Sequence, residues 1–255
     1  MEIDLQANLL KFLLILFRCS TFFILTPVFG RRELPAIGKI GLAALVSILL
    51  YPIVTDVVYY DNVFYILLMV IKEITIGIAM GYITVLMFSC LYTAGELIDL
   101  EMGFGIVNVI DPQSNAQVPL MGNFYYILML LIFLTVDGHH VLLSALVRSY
   151  EIVPLGEGIF QQAFFDGIVM SFRDMFFIGV KVSLPIVSII FITDLALGII
   201  ARTVPQMNVF IVGLPLKISV GIIAMILALP MYLIALDVIF SRTYENIYVI
   251  LKGMR

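Results

Sequence analysis

Six long apolar blocks dominate this chain of 255 residues, and they limit the folds that it can adopt. A helix of about 20 apolar residues crosses the hydrocarbon core of a bilayer, so each block is long enough for at least one membrane helix. The chain is 62% hydrophobic and 13% charged, whereas soluble domains are about 45–50% apolar and about 25% charged. The sequence therefore predicts an all-α membrane protein with a single domain over residues 1–255. The blocks lie at residues 9–29, 37–58, 63–94, 124–150, 168–200 and 209–240.

The third and fifth blocks are longer than one crossing requires. Each is compatible with one long tilted helix, a helix that extends beyond the bilayer, or a broken pair of helices. Pro185 lies inside the fifth block, where proline kinks or breaks a helix. The third block contains Gly77 and Gly81 in a GxxxG spacing, which allows a second helix backbone to approach closely.

The composition and the motifs of this chain argue against several classes of function. The net charge is −4 and there is no basic run, so we expect no nucleic-acid partner. Cys19 and Cys90 lie inside apolar blocks, which favours buried hydrophobes over a disulfide or a metal site. The His139–His140 pair lacks the HExxH spacing of zinc proteases. We therefore expect no catalytic residue, metal or cofactor, and the acidic N-terminus without a basic n-region predicts that the first block is retained.

Several ionisable residues interrupt the apolar blocks, and eight of them are candidates for function. A charge at the bilayer centre costs about 2.5–3.5 kcal/mol on insertion scales, so these groups must pair, face a wet cavity, snorkel or lie outside the bilayer. The interpretation that we favour is structural ion pairs and subunit contacts, and the alternative is an ion relay in a secondary transporter. Adjacent helical residues point about 100° apart, so Lys72 and Glu73 each need a partner on another segment or subunit. The eight residues are Lys11, Arg18, Lys72, Glu73, Asp137, Lys181, Asp194 and Lys217.

The segment at residues 95–119 differs from the rest of the chain. It carries four acids and no basic residue, and it mixes two glycines with large hydrophobes before a break at Asp111–Pro112. A solvated loop would hold fewer hydrophobes, and a spanning helix would not tolerate the acids and the turn. We predict a loop that is buried in protein or lines a pore. The alternative is a helix connector held in place by its hydrophobes.

Four stretches go beyond composition. They are PVFGRRELPAIGKIGLAALVSILLYP at 27–52, GELIDLEMGFGIVNVIDPQSNAQVP at 95–119 followed by FLTVDGHH, SYEIVPLG at 149–156, and LGIIARTVPQMNVFIVGLPLKI at 197–218. Together they resemble the FliR/SctT family of type III secretion export-gate proteins over essentially the whole chain. The ARTVPQMNVF and GLPLKI elements favour the flagellar branch over the injectisome branch.

The resemblance implies a pore-forming structural subunit of the flagellar protein export gate. Its apolar blocks would form long kinked helical hairpins within a helical assembly of FliP and FliQ homologues, with FlhB at the entrance, in the bacterial inner membrane at the flagellar basal body. Unfolded flagellar proteins would be the transported substrates. An injectisome subunit is the first alternative, and a stand-alone secondary transporter that uses Asp137, Lys181 and Asp194 is the second.

The resemblance assigns one loop, and the chemistry of the residues assigns further positions. By resemblance, the loop at residues 103–119 would plug the closed pore, through Gly103, Phe104, Gly105, Ile106, Val107, Ile110, Asp111 and Pro112. The residue types of the motif at 202–217 favour a role in assembly, with contact to the transported substrate as the alternative: Pro205 and Pro215 set turns, Gln206 and Asn208 satisfy backbone groups, and Arg202 and Lys217 pair with other subunits. The remaining intramembrane polar residues would also act in assembly, namely Arg18, Lys72, Glu73, Asp137, Lys181 and Asp194.

Overall fold

The computed structural model describes residues 2–31, 34–55, 62–105, 119–206 and 208–255. Within these residues the chain forms seven long α-helices and no strand, which confirms the all-α prediction. The helices are α1 (Glu2–Leu25), α2 (Ala36–Leu50), α3 (Val63–Met102), α4 (Leu120–Thr135), α5 (Gly138–Ile152), α6 (Gln162–Thr203) and α7 (Val209–Lys252).

The third and fifth apolar blocks each lie within one continuous helix. Helix α3 has 40 residues and α6 has 42, and α6 continues through Pro185. A proline removes one hydrogen bond from the ladder, which a helix of this length tolerates, so the broken-pair interpretation is wrong for the fifth block. The fourth block is the one that divides, because α4 and α5 meet at an angle of 74°. Asp137 forms this bend with φ at 56°.

In the described part of the chain, four helices are long and apolar enough to cross a membrane, and the bent pair of α4 and α5 would make a fifth span. The four are α1 from residue 6 onwards, α3, α6 and α7 from residue 211 onwards. Helix α2 has 15 residues and is shorter than a typical span. The chain is an all-α membrane protein, although six apolar blocks do not correspond to six spanning helices among the described residues.

The chain divides into two compact units, and each is discontinuous in sequence. The first unit comprises Met1–Met87, Phe133–Arg173 and Phe240–Arg255. Its core lies where α1 packs on the first half of α3, with Leu14, Phe22 and Met80 fully buried. The expectation of a single domain stays a prediction.

The GxxxG spacing of α3 lies at this contact in the first unit. A Cβ at Gly77 would overlap Thr21 Oγ1 and lie 2.5 Å from the carbonyl oxygen of Arg18, and a Cβ at Gly81 would lie 2.7 Å from Leu25 Cβ. The two glycines therefore let α1 approach the backbone of α3, as their spacing indicates.

The second unit comprises Phe88–Ile132 and Asp174–Ile239. Here α4 packs on the second half of α3, where a Cβ at Gly95 would overlap the backbone of Gly122. Tyr125 of α4 stacks on Tyr232 of α7, with ring centroids 4.8 Å apart, and Tyr232 Oη donates to the carbonyl oxygen of Tyr125 at 2.7 Å. Helices α6 and α7 form an antiparallel hairpin around the turn at residues 204–206.

Candidate functional site

A fully buried ion pair joins α1 to α3 in the first unit. Arg18 Nε donates to Glu73 Oε2 at 2.6 Å, and Arg18 Nη2 donates to Glu73 Oε1 at 3.0 Å. Both side chains have 0% exposure. This bidentate geometry is the strong form of an arginine–carboxylate contact, and it supplies the partner on another segment that Glu73 requires.

The segment at residues 149–156 encloses this pair and satisfies its remaining hydrogen-bonding groups. Arg18 Nη1 donates to Ser149 Oγ at 3.2 Å, and Arg18 Nη2 donates to the carbonyl oxygen of Val153 at 3.0 Å. The amide of Gly156 donates to Glu73 Oε1 at 2.9 Å. A buried ion pair is favourable only when such additional bonds are made, so the SYEIVPLG motif has a structural role that its residues explain.

Two further contacts strengthen the same cluster. The Arg18 guanidinium lies 4.2 Å from the ring centroid of Tyr150, within the range of a cation–π interaction. Lys72 Nζ donates to the carbonyl oxygen of Gly156 at 3.1 Å. Gly156 has φ at 77°, a left-handed conformation that glycine adopts without strain. Elsewhere in this unit Lys11 Nζ lies 4.7 Å from the ring centroid of Tyr51.

Both flanks of the predicted plug segment are held in the second unit by hydrogen bonds to Asp99. One flank bonds to its backbone carbonyl and the other to its carboxylate. Helix α3 continues to Met102, so the prediction of a loop from residue 95 is wrong for residues 95–102. Gly103 follows the helix with φ at 87°. The amide of Phe104 donates to the carbonyl oxygen of Asp99 at 3.0 Å, and the amide of Gly103 donates to the carbonyl oxygen of Leu100 at 3.3 Å. This pair of bonds is a Schellman motif, which requires a left-handed residue at the position of Gly103.

The carboxylate of Asp99 holds the other end. The amide of Met121, in the first turn of α4, donates to Asp99 Oδ1 at 3.2 Å and to Oδ2 at 3.1 Å. An anion at this place also meets the positive end of the α4 dipole. One buried residue therefore anchors the chain on both sides of residues 106–118. The predicted plug residues Ile106, Val107, Ile110, Asp111 and Pro112 lie outside the described residues, whereas Gly103, Phe104 and Gly105 lie within them.

The hairpin of α6 and α7 carries the second ion pair. Lys217 Nζ donates to Asp194 Oδ2 at 2.8 Å, and the side chains are 19% and 37% exposed. We expected Lys217 to pair with another subunit, but its partner lies in the same chain. Arg202 is exposed in the last turn of α6, so its pairing with another subunit stays a prediction.

The polar residues of the hairpin turn follow the predictions in part. Pro205 and Gln206 form the turn, and Asn208 begins α7 by accepting from the amide of Ile211 through its side chain at 3.4 Å. Pro215 does not set a turn, because it lies inside α7. A proline this close to the N-terminus of a helix removes a single hydrogen bond from the ladder. The role of Gln206 stays a prediction.

The bend between α4 and α5 brings Asp137, His139 and His140 together. Their ligand atoms lie within 4.8 Å of one another, and no other such group of three occurs among the described residues. His139 Nδ1 is buried and lacks a hydrogen-bond partner within the same described part of the chain. The group lies at the N-terminus of α5, whose partial positive charge disfavours a cation. We therefore interpret it as a helix bend, since the amide of His140 donates to the carbonyl oxygen of Asp137.

The last of the predicted polar residues, Lys181, lines a groove of about 330 Å³ in the second unit. It is exposed, and the other groove residues are apolar or aromatic. Of the acids that a transporter would use, Asp194 is paired with Lys217 and not with Lys181.

Sequence reasoning missed three positions that the structure makes important. Ser149 and Gly156 contact the buried pair, and Asp99 anchors residues 104 and 121. Ser149 and Gly156 both belong to the SYEIVPLG motif, but its sequence does not indicate that they contact the buried pair. For Asp99 the available signal is an acid four residues before a glycine that ends an apolar helix.

The sequence of this chain is similar to known proteins over most of its length. The family model described as "Bacterial export proteins, family 1" matches residues 9–243. The chain is 39% identical over 238 residues to "Flagellar biosynthetic protein FliR" of Bacillus subtilis (strain 168), covering 92% of each chain.

More distant relatives share most of the chain as well. The protein of the same name from Escherichia coli (strain K12) is 31% identical over 221 residues, which cover 86% of this chain and 84% of the relative. "Yop proteins translocation protein T" of Yersinia pestis is 24% identical over 227 residues, which cover 88% of this chain and 87% of the relative. The chain thus belongs to family 1 of the bacterial export proteins, the family of the flagellar biosynthetic proteins FliR.

Proposed function

We propose that this chain is a pore-forming structural subunit of the flagellar type III protein export gate, which passes unfolded flagellar proteins across the cell membrane. The observation that carries the proposal is 39% identity to a FliR protein over 92% of both chains. Membership of this family makes the chain a membrane component of a flagellar export apparatus and not an enzyme.

The proposed partners are homologues of FliP and FliQ in a hetero-oligomeric gate, with FlhB at its entrance. The proposed location is the bacterial inner membrane at the flagellar basal body. The apolar surface of the chain supports a role within an assembly, because large hydrophobes are exposed on every long helix. Examples on the α6–α7 hairpin are Phe191, Ile192, Ile199, Ile211, Ile226 and Leu227.

The loop at residues 103–119 is the proposed plug of the closed pore. Its hydrophobes Phe104, Ile106, Val107 and Ile110 suit a narrow lumen, since an apolar constriction keeps a pore shut by dewetting. Gly103 and Gly105 give the backbone freedom to move. The support from the structure is the anchoring of both flanks on Asp99, which fixes where the loop leaves and rejoins the helices.

Deletion of residues 103–110 in the assembled gate tests the plug. We expect the deleted complex to conduct ions in planar bilayers, because the apolar seal is removed while Asp99 still anchors α4. A length-preserving variant in which Ile106, Val107 and Ile110 become serine should also leak. Asn108→Ser is the matched control, since it exchanges one polar residue of the loop for another and should leave conductance unchanged. Equal conductance of the deleted and unaltered complexes would reject the plug.

The flagellar assignment is tested separately by complementation. Expression of this chain with its own FliP-like and FliQ-like neighbours should restore swimming to a bacterium that lacks the corresponding flagellar genes. Restoration of injectisome secretion and not of swimming would favour the alternative that the Yersinia relative represents. Substrate uptake by the chain alone in proteoliposomes would support the transporter alternative.

A further inference from the structure

The groove that contains Lys181 is lined by α6 and α7 of the second unit, together with Tyr125 of α4. Helix α6 contributes residues spaced by three to four positions, Ile178, Lys181, Val182, Pro185 and Ile186. Helix α7 contributes Ala228 and Ala235, one heptad apart, together with Met231 and Tyr232. Small residues on one wall allow the backbone of another helix to approach, and rows with these spacings are the ridges and grooves of helix packing.

Lys181 is the one charged residue in the lining of this groove. In the part of the chain that the structure describes, no carboxylate lies within 4.0 Å of its Nζ atom, whereas Lys217 and Arg18 both have carboxylate partners. Asp237 is exposed on α7, yet it does not line the groove although its neighbour Val238 does. The groove therefore offers an apolar wall with a positive charge that the described residues leave without an anion.

The shape of the groove distinguishes between two possible occupants. Its α7 wall holds Ala228 and Ala235, one heptad apart, and small residues at helical spacing let the backbone of another helix approach closely. The acyl chain of a lipid needs no such row of small residues. A protein helix in this groove can also carry a carboxylate opposite Lys181.

We propose that the groove lined by Lys181, Pro185, Ala228 and Ala235 receives an apolar helix of a partner subunit that carries one aspartate or glutamate at the level of Lys181. The complementary charge on the partner removes the cost of an isolated cation on an apolar surface. This inference rests on the proposed function, because it takes the partner to be another subunit of the gate. It adds the face, the chemistry and the residue by which this chain selects that subunit.

Co-purification of the co-expressed complex provides the test, with three substitutions at Lys181. Lys181→Met keeps the length of the side chain without its charge, Lys181→Arg keeps the charge, and Lys181→Glu reverses it. We expect Lys181→Met to lower the recovery of one partner subunit by about tenfold or more, Lys181→Glu to lower it further, and Lys181→Arg to stay within about twofold of the unaltered chain. Arg242→Met is the control, since Arg242 is exposed and pairs with Glu245 on its own helix.

Swimming revertants of Lys181→Glu identify the partner. The proposal expects second-site changes that replace an aspartate or glutamate by a neutral or basic residue in an apolar helix of another subunit. If Lys181→Glu does not accumulate in membranes, the contrast between Lys181→Met and Lys181→Arg at equal accumulation still decides. Full recovery of every subunit with Lys181→Met would overturn the proposal.

Two other outcomes have distinct meanings. A phospholipid detected by native mass spectrometry on the complex, and lost with Lys181→Met while all subunits remain, would assign the groove to lipid and overturn the proposal. If the unaltered chain recovers no partner at all, both the proposed function and this inference fail. If assembly does not depend on Lys181, this inference alone is rejected.

Discussion

Two ion pairs in this protein have the same chemistry and different surroundings. Arg18 and Glu73 are both 0% exposed and make a bidentate contact, whereas Lys217 and Asp194 make a single contact and are 19% and 37% exposed. The first pair is enclosed by the loop at residues 149–156. The second pair lies on the α6–α7 hairpin, where no comparable loop among the described residues encloses it and both side chains stay partly exposed.

The difference contrasts a self-sufficient core with a hairpin whose hydrophobes are exposed. Around Arg18 every polar partner comes from the same chain, including a backbone carbonyl and a backbone amide. A buried charge without its partner is strongly destabilising, so this region is stable only with both residues of the pair in place. The hairpin keeps its internal pair as a minor contact and leaves its hydrophobes exposed.

Removing the acid of the buried pair should have the largest effect. Glu73→Leu leaves the Arg18 guanidinium buried without a counter-charge, and we expect the free energy of unfolding to fall by about 3–5 kcal/mol. Denaturant titration of the purified protein in detergent, followed by circular dichroism, measures it. The matched variant Asp194→Asn removes the acid of the other pair and should cost far less.

A double variant separates the charge from the packing at this site. Arg18→Met combined with Glu73→Leu should recover much of the lost stability, because it leaves no unpaired charge behind. Equal losses for Glu73→Leu and Asp194→Asn would contradict the distinction between the two regions.

The glycines beside the two pairs should respond with opposite signs. Gly77→Ala places a methyl group against Thr21 and the backbone of Arg18, so we expect a loss of about 1–3 kcal/mol in the free energy of unfolding. Gly198 lies four residues after Asp194, and a Cβ there meets no atom within 4 Å. Gly198→Ala should therefore stabilise the helix by up to about 1 kcal/mol.

Thermal unfolding of the two variants in the same detergent checks this pair of expectations. A stabilising Gly77→Ala would show that α1 does not pack on the backbone of α3 as described. A destabilising Gly198→Ala in the isolated chain would show that the face of α6 beyond Asp194 is already covered.

Sequence reasoning predicted the features that depend on local composition. Apolar blocks fixed the fold class, and the GxxxG spacing at Gly77 and Gly81 identified a close helix contact. The need of Glu73 for a distant partner followed from the divergence of adjacent helical side chains. These inferences require only helical periodicity and the cost of burying charge.

The remaining features depend on contacts between distant parts of the chain. Arg18 and Ser149 are 131 positions apart, and no periodicity links them. Pro215 resembles a turn signal, but α7 continues through it and accommodates both the lost hydrogen bond and the crowding of the proline ring against the preceding turn. The fourth block divides where Asp137 adopts a left-handed conformation at the bend. The mean hydropathy of that block does not reveal such a local change.

The smallest expected effect concerns Lys217. In the isolated chain Lys217→Met should change the free energy of unfolding by about 0–1 kcal/mol, because exposed pairs contribute little and salt screens them. Measuring the unaltered chain at about 0.05 M and about 0.5 M salt should reveal a dependence that Lys217→Met reduces. Within the assembled complex the same substitution should cost more, since a partner that covers the hairpin desolvates Asp194 and leaves it unpaired. An equal cost in both states would mean that no subunit covers this pair, and it would move the assembly surface away from this face of the hairpin.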